Sequence, residues 1–199
     1  MRKSLTLAEL SARGDLIFSD GYRTRADQLG TTGLPILRVA DVLDGRLEPS
    51  YKDHIRLEFR TKMGAKVSRP GDVLITTKGT VGRVARVPDD FPEHSYSPQV
   101  CFLRSLNEDA LNSTWLYHWA RSLEFAGQLG IYKDQTDMAP YVSLTDLRRV
   151  VINLPPIEEQ ERLVAALGAL DELIAHNRRE IDRAERLSAA IFQRFSAST

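Results

Sequence analysis

Three short segments carry side chains whose types and spacing suit contact with a nucleic acid. In "TTKGTVGR", residues 76–83, Thr77, Lys78, Thr80 and Arg83 surround two glycines, a pattern that lets backbone N–H groups and cations approach a phosphate together. In "GYRTRADQ", residues 21–28, Tyr22, Arg23 and Arg25 fall in an expected loop, and a guanidinium can bond two acceptors of guanine at once. In "GIYKDQTDMAPY", residues 130–141, Lys133, Gln135 and Thr136 stand close together. A glutamine can pair bidentately with adenine, which makes Gln135 the first candidate for reading a base. A plain turn with solvated cations would use the same residue types, and the residues alone leave both readings open.

Catalytic chemistry finds no comparable footing. A methyltransferase acting on exocyclic amines resembles "NPPY" with a glycine-rich "FxGxG" element; here "NLPPI" interposes Leu154 and ends in Ile157, and "FAGQLG" has Leu129 where the second glycine belongs. A metal-dependent nuclease needs clustered acids with a Glu-x-Lys element, which Asp72 and Lys78 do not supply. His54, His94, His118 and His176 are scattered without metal-ligand spacing. There is no nucleophile elbow and no phosphate-binding P-loop. The chain reads as a non-enzyme that holds neither metal nor cofactor.

Charge is informative only locally. The net charge of the 199 residues is zero, yet Lys52 to Arg86 carries nine Lys/Arg against Asp53, Glu58 and Asp72. That excess suits a phosphate-facing surface, and it equally suits a solvated face. A hydrophobic content of 42% with 27% charged residues describes an ordinary globular chain. No apolar run reaches membrane-spanning length, and "MRKSLTLAELSARGD" has no signal-peptide core. The lone Cys101 lies in the apolar run "VCFL" and is read as a core residue, so the expected compartment is the cytoplasm.

The elements that must position the three segments read as α+β. "LTLAELSA" is amphipathic and "DLIFSDG" resembles a strand ending in a turn, while "LPILRVADVLDG" closes on the turn dipeptide Asp44-Gly45. "RPGDVLITTKGTVGRVARVP" places two β-branched runs around Lys78-Gly79, the pattern of a hairpin. "SPQVCFLRS" is a further strand. "NEDALNSTWLYHWARSLEFAGQLG" has Leu111, Trp115, Leu116, Trp119 and Leu123 at helical spacing. "VSLTDLRRVVINLPP" reads as a helical turn feeding a strand, and no internal repeat or low-complexity segment is present.

The chain then commits to one long helix. Pro155 and Pro156 suit a helix entrance, and Glu158, Glu159 and Glu161 complement its positive end. Leu163, Leu167, Leu170, Ile174, Asn177, Ile181, Ala184, Ser188, Ile191 and Phe195 alternate spacings of four and three, a heptad seam with one polar residue near its middle. From Glu158 to Phe195, 38 residues would span about 57 Å, whereas a globule of the preceding size has a radius of gyration of about 15 Å. Such a seam calls for a second helix, and Asn177 would pin its register.

In their order along the chain, these pieces resemble the DNA-specificity subunits of type I restriction-modification systems. "VVINLPPIEEQERLVAALGALDELI" is similar to the family's strand ending in "PLPP-x-x-EQ" and opening a long helix. "LPILRVADVLDG", "GDVLITTKGTVGRVARV" and "YVSLTDLRRVVINLP" are similar to its early strand, its "GD-[IV]-L" stretch and its helix lead-in. The resemblance implies a target recognition domain over residues 1–152 and a conserved spacer and dimerisation helix over 153–199. Family members usually carry two such domains and two antiparallel helices; this sequence has one of each and resembles a half-sized form. The implied partners are double-stranded DNA, a DNA methyltransferase subunit, a restriction-translocase subunit and a second copy joined through Leu163–Phe195. A coiled-coil adaptor whose globule binds another protein is the alternative.

Overall fold

The structure, a computed structural model, describes residues 2–133 and 140–196, apart from the side chains of Lys133, Asp171, Phe195 and Ser196. It divides into two compact units, Met1–Ile157 and Glu158–Thr199.

The first unit is built around an antiparallel sheet of four strands. β2 (Leu16–Asp20) lies beside β11 (Val100–Ser105), which pairs with β8 (Val73–Thr76), which in turn pairs with β9 (Val84–Arg86). β8 is buried along its whole length and β11 over all but its last residue. Their continuous apolar runs therefore pack on both faces rather than alternating. Cys101 sits within β11 at 1% exposure, and burial pushes its thiol pKa up. A second sheet runs β10 (Ser95–Tyr96), β4 (Leu34–Leu37), β7 (His54–Ile55), β3 (Leu29–Gly30), with the β10–β4 pair parallel. Leu37, Leu74, Tyr96, Val100 and Phe102 share one apolar cluster that ties the two sheets together. A smaller cluster of Leu34, Ile36, Ile55, Met63 and Val67, the fourth of these from the short helix α2 (Arg60–Met63), fills the outer side of the second sheet. Gly45, at φ 77°, turns the short hairpin of β5 (Val42–Leu43) and β6 (Arg46–Leu47).

One ion pair lies inside this core. Asp72 is fully buried, and Arg104 reaches it through Nε to Oδ1 and Nη2 to Oδ2, each at 2.6 Å. The Tyr96 hydroxyl donates to Asp72 Oδ2 at 2.5 Å and the Arg69 backbone N–H donates to the same atom at 2.9 Å. Arg104 also donates to the Val67 carbonyl at 2.9 Å. Burial works against the Arg104 cation, but its bonds to Asp72 outweigh this and hold its pKa above the ordinary value. The aspartate of the "GD" stretch is thus a structural pin between β8 and β11.

Helices flank the main sheet. α1 (Leu7–Ala12) opens with a capping box of Thr6 and Glu9 and buries Leu7 and Leu10. The helical spacing from Leu111 to Leu123 resolves into two helices rather than one, α3 (Ser113–Ala120) and α4 (Leu123–Lys133). The Ser122 hydroxyl accepts from the Phe125 N–H at 3.3 Å and starts the second helix. Leu123, which continues the apolar spacing, is 91% exposed. α5 (Leu144–Arg149), capped by Ser143, leads into β12 (Val151–Leu154), which pairs antiparallel with β1 (Lys3–Thr6).

The second unit is helical. α6 (Ile157–Ser196) runs 40 residues, about 60 Å at 1.5 Å per residue. Acidic side chains occupy its first turn and Arg194 its last, as the macrodipole favours. Leu163, Leu170, Ile174, Ile181 and Ile191 are exposed by between 41% and 57%; Asn177 is exposed and Leu167 half-buried. The side chain of Phe195 lies outside the described ones. Among the described residues, no helix is long and apolar enough to cross a membrane.

Candidate nucleic-acid interface

The hairpin β8–β9 presents the loop 77–83. Gly79 and Gly82 have φ of 78° and 93°, values that favour glycine and let the loop turn within a few residues. Thr76 braces the turn from inside: its hydroxyl donates to the Thr80 carbonyl and accepts from the Arg83 N–H at 3.0 Å. Thr77 is buried, and its N–H and hydroxyl both donate to the Gln99 carbonyl, at 3.0 and 3.1 Å. On the other side the Val142 N–H donates to the Thr77 carbonyl at 3.0 Å, and the Lys78 ammonium stands 5.9 Å from the centre of the Tyr141 ring. Thr77 therefore anchors the loop, while Lys78 and Thr80 are exposed.

The 21–28 segment is held against the same edge. A Cβ at Gly21 would overlap the carbonyl oxygens of Tyr96 and Ser97, so the backbone packs there as only glycine allows. The Tyr22 N–H donates to the Tyr96 carbonyl at 2.7 Å. Tyr22 is half-buried against the smaller apolar cluster, and its hydroxyl accepts from Gln28 Nε2 at 3.0 Å. Its role is to hold the loop. Arg23 and Arg25 are exposed and form no ion pair with any described residue.

These two segments meet at a cleft of about 490 Å³ lined by Arg23, Thr77, Lys78, Gln99 and Tyr141, with Asp20 at its wall. Asp20 is already paired with Lys66 at 2.9 Å, so the exposed charge left on the described walls is that of Arg23 and Lys78. Arg25, Thr80 and Arg83 lie outside the lining; Arg83 is half-buried with its guanidinium 3.4 Å from the Val42 carbonyl. Gln135 and Thr136, together with the side chain of Lys133, lie outside the described residues. The segment shortly after them, residues 141–145 with Leu147, forms one wall of the cleft. Sequence reasoning passed over Gln99 and Tyr141, because the pairing that brings them beside Thr77 and Lys78 leaves no local mark.

Four of the nine cations between Lys52 and Arg86 are engaged in ion pairs. Arg56, Arg60, Lys66 and Arg86 form ion pairs with Glu58, Glu93, Asp20 and Asp89. Three of these partners, Asp20, Asp89 and Glu93, lie outside the stretch, at positions where a local charge count cannot see them. Among the described residues, no group of three or more His, Cys, Asp or Glu side chains could hold a metal ion.

Residues 24–186 match the family described as the type I restriction modification DNA specificity domain. The chain belongs to that family. The match runs from the Arg23–Arg25 loop through most of α6, and so takes in both units. Among curated relatives, the EcoBI type I restriction enzyme specificity subunit of Escherichia coli is 26% identical over 150 residues, covering 69% of this chain and 28% of that protein. The putative MjaX type I restriction enzyme specificity subunit of Methanocaldococcus jannaschii is 25% identical over 140 residues, covering 66% and 29%. The crystal structure of the HsdS subunit from Thermoanaerobacter tengcongensis superposes with a TM-score of 0.62 at 25% identity, covering 89% of this chain and 39% of that one. This specificity-family chain thus spans less than half the length of the relatives it matches, while sharing their fold of sheet-rich globule and long helix.

Proposed function

We propose that this chain is a non-catalytic subunit that recognises double-stranded DNA, each globule reading one half of a two-part site. Two copies pair through α6 and hold two globules at a fixed spacing. The dimer positions a DNA methyltransferase subunit, and a restriction-translocase subunit where the system has one. The observation that carries the reading is the cleft, where Arg23 and Lys78 stand exposed within a DNA-specificity family chain. Arg25, Thr80 and Arg83 extend the contact along the same edge, with Lys133, Gln135 and Thr136 following from the third segment.

The seam supports pairing with a second copy. An exposed row of Leu163, Leu170, Ile174, Ile181 and Ile191 is an apolar surface of the kind that marks an interface. The flanking charges favour an antiparallel arrangement. A parallel pair in register would bring Glu180 beside Glu185 of the partner subunit. An antiparallel pair with Ile174 facing Asn177 of the partner subunit instead brings Glu159 beside Arg194 of the partner subunit. A twofold dimer of this kind would prefer an inverted repeat with a nonspecific gap.

Titration of a labelled random-sequence duplex across a salt series tests the DNA reading. Phosphate contacts release counterions, so log K should fall linearly with log salt, by about 0.9 per phosphate neutralised. Binding that is absent at low salt, or flat across the series, would refute it.

A further inference from the structure

We propose that Gln99 is a base-reading residue, its carboxamide pairing with an adenine edge in the major groove while Arg23 and Lys78 hold phosphates on either side. The inference rests on the reading of this chain as a DNA-recognition subunit. Base reading needs a side chain that is free at its tip and fixed at its root. Gln99 meets both conditions. Its carbonyl accepts two hydrogen bonds from Thr77, at 3.0 and 3.1 Å, and the Val100 N–H closes a turn onto the Ser97 carbonyl at 2.9 Å. The next residue begins β11, a central strand of the main sheet. The Gln99 side chain, by contrast, is exposed in the cleft and makes no hydrogen bond to any described residue.

The neighbours divide the work by chemistry. Arg23 and Lys78 offer positive charge, Thr77 is spent on the backbone, and Asp20 is paired with Lys66. Among the described residues lining the cleft, Gln99 alone carries a carboxamide, the group whose adjacent donor and acceptor match N7 and N6 of adenine. The close approach of Gly21 to Ser97 locks the Arg23 loop to the turn that carries Gln99, so the two advance on a ligand as one surface.

Selection of bound duplexes from a random pool, with the full chain and its variants at one salt concentration, tests this. The wild type should enrich a motif with a preferred adenine in each half-site. Gln99→Ala should reduce the preference at that one position by about 5- to 150-fold, leave the other positions intact and bind random duplex as before. Gln99→Glu should move the preference toward cytosine, whose amino group a carboxylate accepts. Arg23→Ala should weaken all duplexes alike and keep the motif. If Gln99→Ala and Gln99→Glu both return the wild-type motif, the assignment of Gln99 is overturned while the DNA reading stands. If the wild type returns no motif, the underlying reading falls and the assignment with it.

Discussion

Two kinds of charged residue do different work in this molecule. Arg104 and Asp72 are buried and fully engaged, each satisfying the other with help from Tyr96, Arg69 and Val67. Removing one partner leaves an uncompensated charge in the core, a loss of about 3–5 kcal/mol. Asp72→Asn should therefore lower unfolding stability by that order in chemical denaturation, and a change under about 1 kcal/mol would contradict the pin. Arg23 and Lys78 are the opposite case, exposed and without an ion-pair partner among the described residues. Arg23→Ala and Lys78→Ala should leave stability within about 0.5 kcal/mol. Each should reduce the slope of log K against log salt by about one in the duplex titration. An unchanged slope in both variants would remove the cleft from the interface.

At the scale of elements, the seam makes the sharpest demand. Replacing Leu170 and Ile174 by Lys puts two cations on the exposed apolar row of α6. It should convert a dimer to a monomer in sedimentation while the globule's thermal unfolding stays where it was; a variant that still sediments as a dimer would rule out pairing through this face. How far the elements could be read beforehand follows the range of the signals. The β8–β9 hairpin was legible because Lys78-Gly79 sits between two β-branched runs, and α6 because its heptads and entry prolines are all local. The break between α3 and α4 was not, since the apolar spacing runs on from Trp119 to Leu123 and only the Ser122 cap marks the start of a second helix. The pairing of β1 with β12, and of Asp72 with Arg104, joins residues far apart in sequence, where no periodicity reports contact. The same holds for the candidate cleft: Arg23 and Lys78 could be nominated by type, but Gln99 joins its lining only through its bonds to Thr77.

At the scale of the whole molecule, the proposal gives the globule a DNA-facing edge and the helix a seam for a second copy. Neither alone would read a two-part site. Two copies related by a twofold axis would supply two edges at a spacing set by about 60 Å of helix. The chain spans 39% of the HsdS subunit it superposes on, so a pair of copies approaches the length of one such relative. The most direct test is the solution mass of the full chain by light scattering across a concentration series. A mass near twice 22.4 kDa is the predicted result. A mass of 22.4 kDa at every concentration would contradict pairing of two copies through α6.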